Sequence, residues 1–185
     1  MAIKKAFSPN EGQILLNRKY LRYTVNFYCK KIKMLTDRVI PNELKEKILI
    51  LVVEDNLLSR KLTSFLLQSW GFRYEVCSNG KLALENLKLN KYDLILMDIQ
   101  MPEKDGYETT KFIRKEMKLG LPIIAMTSHA SEDERKRCLS AGMNDYISKP
   151  IAEEELYNLT VNYLFTTVVE NQENKLKNEY SGPSK

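Results

Sequence analysis

The sequence predicts an α/β fold, a doubly wound three-layer sandwich around a five-stranded parallel sheet, over residues 47–168. Short apolar runs alternate there with segments of helical period. Several of these runs are almost wholly apolar, which is typical of strands covered on both faces. Glycine, proline or asparagine stands where the elements should end. A basic helical extension, residues 1–46, precedes this domain, and a polar tail, residues 169–185, which we expect to be disordered, follows it.

Five short runs rich in β-branched and apolar residues are predicted as strands. Because a segment of helical period separates each run from the next, the strands are expected to be parallel. In chain order the predicted strands are Ile48–Val53, Tyr74–Cys77, Leu94–Met97, Ile123–Met126 and Tyr146–Ser148.

Apolar residues recur at helical spacing between the first two strands and again after the last strand. Each set predicts one buried helix face. The first set is Leu58, Leu62, Phe65 and Leu66, and the second is Leu156, Leu159, Tyr163 and Leu164.

Turn-forming residues agree with these helix boundaries. Gly71 is placed as a stop for the first helix, and Asn79-Gly80 as a turn into the second. Gly120 and Pro122 close the third. These turn-forming residues therefore support the same order of strands and helices as the periodicity of the apolar residues.

Residues 10–38 interleave aromatic and aliphatic residues with lysine and arginine, and they predict one long helix or a helical pair. Residues 1–46 contain ten Lys/Arg and four Asp/Glu, within a chain of net charge +5. A basic solvated helix explains this excess better than nucleic-acid binding, and no nucleic-acid partner is expected. The apolar side of such a helix needs a partner, either the predicted domain or a second copy in a homodimer.

The composition is that of a soluble globular protein. The longest apolar run, Ile48–Val53, is far below the roughly 20 residues of a membrane-spanning helix, and no secretory signal follows the start. We therefore expect no membrane span and a cytoplasmic location. Cys29, Cys77 and Cys138 are odd in number and far apart, so they are interpreted as free thiols.

Polar residues follow the predicted strands at their carboxyl ends, where open parallel sheets bind ligands. Glu54 and Asp55 follow the first strand, Asp98 the third, Thr127-Ser128 the fourth and Lys149-Pro150 the fifth. Three carboxylates, two hydroxyls and one ammonium group are therefore expected to meet at one edge of the sheet.

Such a set of groups indicates phosphoryl transfer. Two carboxylates about 4 Å apart repel by roughly 4 kcal/mol at an effective dielectric near 20, so three of them favour a bound cation or raised pKa values. Magnesium prefers oxygen ligands of this kind and neutralises charge on a transferred phosphoryl group. Asp98 is then the candidate nucleophile, with Lys149 and Thr127 holding phosphoryl oxygens.

At these positions the sequence resembles the receiver domain of two-component response regulators, and most closely those of hybrid sensor histidine kinases. The order and spacing of the motifs carry the resemblance over residues 47–168. The motifs are Val53-Glu54-Asp55-Asn56, Met97-Asp98-Ile99-Gln100-Met101-Pro102, Asp105-Gly106, Met126-Thr127 and Lys149-Pro150.

The resemblance implies a flavodoxin-like fold and a role for each matching residue. Magnesium is held by Asp55, Asp98 and the backbone carbonyl of Gln100, with Glu54 acting through a metal-bound water. Asp98 is phosphorylated from a phosphohistidine of a histidine kinase or a histidine phosphotransfer protein. Thr127 and Tyr146 occupy the switch positions, although Tyr146 is equally compatible with plain packing.

We expect phosphorylation to repack the face formed by the fourth helix of the receiver, roughly residues 131–141, and the fifth strand, and so to change the affinity for partners. His129 is the only histidine of the chain, and its predicted loop position indicates a modulator or a bystander rather than a phosphate carrier. No glycine-rich nucleotide loop is present, so ATP binding is not expected.

Other functions remain open at this point. A magnesium-dependent phosphate-ester hydrolase usually has a second acid just after the nucleophile, and here Gln100 stands two residues on. A degenerate receiver acting only as a scaffold conflicts with the intact set of site residues. The chain is either part of a hybrid kinase or a stand-alone regulator with an N-terminal docking or dimerisation helix. Only in the first case would the parent protein be a histidine kinase, so whether it is an enzyme stays open.

Overall fold

A computed structural model describes residues 40–129 and 131–165 of the chain. All of these residues belong to one compact unit, Ile40–Thr167. The predicted helix over residues 10–38, the thiol of Cys29 and the predicted tail lie outside the described residues.

The described residues form a five-stranded parallel sheet in the order β2-β1-β3-β4-β5. Every strand begins and ends within one residue of the prediction, and the predicted fold class is confirmed. The strands are β1 (Leu49–Val53), β2 (Arg73–Cys77), β3 (Leu94–Asp98), β4 (Ile123–Thr127) and β5 (Asp145–Ser148).

Helices connect the strands. The helices are α1 (Asn42–Lys45), α2 (Leu57–Ser69), α3 (Gly80–Leu89), α4 (Gly106–Lys115), α5 (Glu132–Ala141) and α6 (residues 153–165). The short helix α1 lies within the compact unit, where the Lys45 ammonium donates a 2.7 Å hydrogen bond to the carbonyl of Trp70. Ile40, just before α1, is fully buried.

The core lies on both faces of the three inner strands. All residues of β3 and β4 are buried, as are all but the first residue of β1, whereas the edge strands β2 and β5 are only partly covered. Burial on both faces explains why the inner strands are continuous apolar runs rather than alternating ones. Their polar residues are therefore confined to the strand ends.

Side-chain caps position the helices that leave the carboxyl edge of the sheet. Asn56, Asn79, Asp105 and Ser131 each precede a helix, and each accepts a hydrogen bond from a backbone N–H of its first turn. Each cap satisfies donors that a helix start leaves without partners. At the other end of α2, Gly71 adopts a φ of 81°, a conformation that glycine tolerates best, and confirms the predicted stop.

The predicted buried face of α2 is wrong except for Leu66. Leu58 is 78% exposed and Phe65 66% exposed, and the sheet is covered instead by Thr63, Leu66 and Leu67. Helix α2 carries apolar residues on more than one side, so their period alone does not select the inward face. For α6 the prediction is confirmed at Leu156 and Leu164, which are fully buried.

Two further sequence expectations concern thiols and membranes. Cys77 and Cys138 are buried and unbridged, as predicted for these two cysteines. In residues 40–129 and 131–165, no helix combines the length and the apolar character that crossing a bilayer requires.

Candidate functional site

The structure brings the predicted site residues to the carboxyl edge of the sheet. Glu54 directly follows β1, while Asp98 and Thr127 are the last residues of β3 and β4. Lys149 directly follows β5, and its backbone N–H donates a 2.7 Å hydrogen bond to the carbonyl of Thr127. Parallel strands in register therefore place these groups side by side, although they lie far apart in the chain.

Three carboxylates form a compact acidic cluster at this edge. One oxygen each from Glu54, Asp55 and Asp98 lies within 4.8 Å of the others. Glu54 and Asp98 are buried, whereas Asp55 is exposed. A cation reaching the cluster from solvent would therefore meet Asp55 first and the buried pair behind it.

Lys149 neutralises part of the cluster. Its Nζ lies 2.7 Å from Glu54 Oε2 and 2.9 Å from Asp98 Oδ2. Burial by itself lowers the pKa of Lys149, but its contacts with the two carboxylates outweigh that effect and raise the pKa above its ordinary value. Lys149 is consequently a firmly charged ammonium group beside Asp98.

Glu54 is a buried carboxyl group with a raised pKa. Burial raises the pKa of Glu54 to about 7, the Asp98 carboxylate adds to the rise, and Lys149 opposes it. Among the described residues, Glu54 Oε2 has no partner besides the Lys149 ammonium. A buried carboxylate oxygen with spare acceptor capacity suits a cation or its bound water.

Backbone N–H groups orient the two buried carboxylates. The N–H of Gln100 lies 3.3 Å from Asp98 Oδ1, and the N–H of Asn56 lies 3.3 Å from Glu54 Oε1. Both bonds come from the loop just beyond the strand, so the acids are held by their own chain neighbours. The Arg60 guanidinium, which the sequence analysis did not single out, donates a 2.8 Å hydrogen bond to the carbonyl of Glu54.

Gly106 packs directly behind the Asp98 backbone. A Cβ at this position would lie 2.3 Å from the carbonyl oxygen of Asp98, closer than any real contact. The Gly106 N–H also donates a 3.0 Å hydrogen bond to the carbonyl of Ile99. The Asp105-Gly106 motif thus has a steric reason, since only glycine lets α4 start this close to Asp98.

The two predicted switch residues lie on β4 and β5. The buried Thr127 hydroxyl accepts a 3.1 Å hydrogen bond from the backbone N–H of His129. Tyr146 is half-buried and packs on the core at the rim of a cavity of about 550 Å³ between β5 and α6. The Lys149–Pro150 peptide bond is cis.

The described arrangement suits transfer of an anionic group. A buried carboxylate lies beside a charged ammonium, and a cluster of acids next to them can bind a divalent cation. Thr127, the last residue of the neighbouring strand β4, provides a hydroxyl group. Phosphoryl transfer requires groups of these kinds, namely a nucleophile, positive charge for phosphoryl oxygens and a hydroxyl donor.

Comparison with known proteins agrees with this geometry. Residues 50–160 match the family profile described as the response regulator receiver domain. The chain is 39% identical over 125 residues to the signal transduction histidine-protein kinase BarA of Escherichia coli K12. That match covers 67% of this chain but only 14% of the kinase, so the chain spans a small part of its curated relative.

Two solved structures extend the comparison. The receiver domain of a Pseudomonas aeruginosa PAO1 sensor histidine kinase, with magnesium in its active-site cleft, is 37% identical, with a TM-score of 0.58. The match covers 63% of this chain and 97% of that domain. The receiver domain of the Saccharomyces cerevisiae response regulator Ssk1, in complex with the histidine phosphotransfer protein Ypd1, is 30% identical, with a TM-score of 0.56 over 59% of this chain and 83% of the other.

Proposed function

Because the chain belongs to the response regulator receiver domain family and is a receiver of that kind, we propose that Asp98 is the residue that accepts the phosphoryl group. One observation supports this choice above the others. Asp98 is the buried carboxylate that lies both in the acidic cluster and 2.9 Å from the Lys149 ammonium. A nucleophile needs this combination, since the attacking and transferred groups are both negatively charged.

In the proposed reaction, an Asp98 carboxylate oxygen attacks the phosphorus of a phosphohistidine. A phosphorus–oxygen bond forms, the phosphorus–nitrogen bond breaks, and the electron pair leaves with the histidine nitrogen. Lys149 exchanges its contact with Asp98 for a phosphoryl oxygen and keeps its charge neutralised throughout. The hydroxyl of Thr127 donates a hydrogen bond to another phosphoryl oxygen.

The acidic cluster is proposed as a magnesium site. Asp55, Asp98 and the backbone carbonyl of Gln100 would bind the ion, with Glu54 acting through a bound water. The spare acceptor capacity of Glu54 Oε2 and the all-oxygen ligand set support this assignment. When bound, magnesium neutralises negative charge on the phosphoryl oxygens.

Phosphorylation is proposed to act as a conformational switch. To donate to the phosphoryl group, the Thr127 hydroxyl has to redirect the hydrogen that it now offers to the carbonyl of His129, 3.4 Å away. Release of this loop and a rearrangement of Tyr146 would repack the face formed by α5 and β5. Partners would then recognise the two states of that face differently.

A small phosphodonor tests the proposal directly. The full chain incubated with acetyl phosphate and magnesium is expected to gain the mass of one phosphoryl group. Chelation of the metal is expected to reduce labelling to background, because the acidic cluster would then have no cation to offset the incoming charge. Intact-mass spectrometry measures both results. Labelling that persists unchanged without metal would contradict the role of the acidic cluster.

The parent protein is proposed to be a hybrid sensor histidine kinase, with a stand-alone regulator as the alternative. The 39% identity to BarA supports the first reading. In either case the domain would receive phosphate from a histidine kinase or a histidine phosphotransfer protein. A cytoplasmic location and a homodimer through residues 10–38 remain predictions from the sequence.

An exposed apolar face on α2 is the proposed docking surface for the phosphodonor protein. It consists of Leu57, Leu58, Leu62 and Phe65, whose exposed fractions run from 47% to 78%. Helix α2 begins two residues after Asp55, so a partner lying along it would reach the acidic cluster. An exposed apolar helix face is suited to pack against an apolar face of another protein. The complex of another receiver domain with the histidine phosphotransfer protein Ypd1 supports this class of partner.

Replacing Leu58 by serine is expected to slow phosphotransfer from phosphorylated Ypd1 by about tenfold, the effect of losing one well-packed interface residue. Labelling by acetyl phosphate should stay at the wild-type rate, because the acidic cluster is untouched. Leu89→Ser is the matched control, since Leu89 is 79% exposed but lies on α3. Equal rates for the two variants would exclude α2 as the docking surface.

A further inference from the structure

Helix α5 is attached to the domain by few apolar contacts. Its buried residues are Glu134, Cys138 and Ala141, so only two of the three are apolar. Two ion pairs of α5, Arg135–Glu132 and Lys136–Asp133, lie on its solvent-exposed side. Because both partners of each pair belong to α5, these ion pairs do not connect the helix to the rest of the domain. The position of α5 therefore depends strongly on the contacts of Glu134.

The partner of Glu134 is Tyr107 on α4. The Tyr107 hydroxyl donates a 2.5 Å hydrogen bond to Glu134 Oε1, and both side chains are buried. The guanidinium of Arg137 lies 4.9 Å from the Tyr107 ring centre and 3.3 Å from Glu134 Oε2. Burial raises the pKa of Tyr107, and the bond to Glu134 raises it further, so the phenol remains a donor. A hydrogen bond from a hydroxyl to a carboxylate is among the stronger hydrogen bonds in proteins, because its acceptor is charged.

This bond joins two of the segments that leave the carboxyl edge of the sheet. Tyr107 directly follows Gly106, which packs against the backbone of Asp98. Glu134 belongs to the helix that follows Thr127 and its loop. A cavity of about 380 Å³, lined in part by Gln100, His129 and Arg137, lies beside the bond. Helix α5 thus has adjacent space to move into once the bond is broken.

We propose that the Tyr107–Glu134 hydrogen bond is a latch that holds α5 against α4 and sets how readily the domain reaches its phosphorylated conformation. The inference rests on the proposed function, in which phosphorylation repacks the face that contains α5. A modification shifts a two-state equilibrium by the difference in its interaction energy with the two states. The population that is reached also depends on the initial energy gap between the states, and the latch contributes to that gap. Tyr107 is thus a positioning residue rather than a catalytic one.

The test removes the hydroxyl alone, with Tyr107→Phe in the full chain. Hydrogen exchange of residues 131–141, measured without phosphodonor, should accelerate about tenfold, because a buried hydrogen bond to a charged group is lost. The initial rate of acetyl phosphate labelling should rise several-fold as well, since less energy is needed to displace α5 (about fivefold for about 1 kcal/mol).

Tyr92→Phe is the matched control, because the Tyr92 hydroxyl also donates to a carboxylate, that of Glu75 on β2, away from α5. It should lower thermal stability without changing exchange in residues 131–141 or the labelling rate. Glu134→Gln, which keeps an acceptor for Tyr107 and loses the charge, should give intermediate values and serves if Tyr107→Phe does not fold.

Unchanged exchange in residues 131–141 of Tyr107→Phe would overturn the latch. Faster exchange with an unchanged labelling rate would overturn its link to phosphorylation and leave a purely structural bond. A wild-type chain that takes no phosphate would instead count against the proposed function, while the exchange measurement would still decide whether α5 is latched.

Discussion

Asp98→Asn is expected to abolish phosphorylation by acetyl phosphate, reducing the magnesium-dependent mass increase to background. Asparagine has nearly the same shape, and its side-chain oxygen can keep the hydrogen bond from the Gln100 N–H. It lacks the negative charge of a nucleophile, and its amide cannot form the acyl phosphate. The loss should exceed about 100-fold, since no neighbouring group takes over the covalent step. Intact-mass measurement over a time course reads the result directly.

The control for this variant is Asp93→Asn at the opposite end of the same strand. Asp93 accepts a 2.9 Å hydrogen bond from the backbone N–H of Leu49, and asparagine can also accept it. Labelling of Asp93→Asn should match the wild type. Persistent labelling of Asp98→Asn, with the modified residue mapped to Asp55 or Glu54, would show that a different carboxylate is the nucleophile.

Magnesium affinity is expected to rise steeply with pH up to neutrality and then to level off. Burial raises the pKa of Glu54 to about 7, so this carboxyl group is largely protonated in the metal-free protein below that pH. A cation favours the charged form, and binding therefore releases the proton. With one proton released, affinity should change by up to about tenfold per pH unit between roughly pH 5 and 7. Calorimetric titration at several pH values measures the slope.

The contribution of Glu54 to the folding stability of the metal-free protein should change in the opposite direction and fall as the pH rises. Because the folded chain keeps the Glu54 proton that the unfolded chain loses near its ordinary pKa of 4.5, the folded state binds more protons between that value and about pH 7. This contribution is fully present at low pH and is lost as the pH rises through about 7.

Glu54→Gln separates this group from others that titrate nearby. Glutamine is neutral at every pH, so both the slope of magnesium affinity and the corresponding stability change should flatten. A variant that retains the full wild-type slope would assign the proton to a different group. Glu85→Gln, an exposed glutamate on α3, is the control and should leave both profiles unchanged.

Much of the fold could be predicted because its signals are local. A strand buried on both faces has to be a continuous apolar run, and β3 and β4 show this in the sequence itself. Helix starts are similarly marked by Asn79 and Asp105, whose side chains cap the turn that follows them. Parallel strands gather their carboxyl ends at one edge, so the positions of Asp98 and Lys149 followed from the strand assignments.

The inward face of α2 could not be predicted in the same way. Leu58 and Phe65 fit a helical stripe as well as buried residues do, yet both lie in solvent. The direction in which a helix faces depends on its connections and on the sheet beneath it, and neither is encoded in the period of the helix. The same limit applies to the proposed docking surface, which contains three of the four residues of this stripe.

By itself, the sequence determined the order of strands and helices, the family and the set of groups at the carboxyl edge, since each depends on residue type and short-range spacing. Only the tertiary structure decided the raised pKa of Glu54 and the bond between Tyr107 and Glu134. The pKa depends on burial by surrounding chain segments, and the bond joins residues 27 positions apart. Both arise from packing between elements, which no single segment of the sequence specifies.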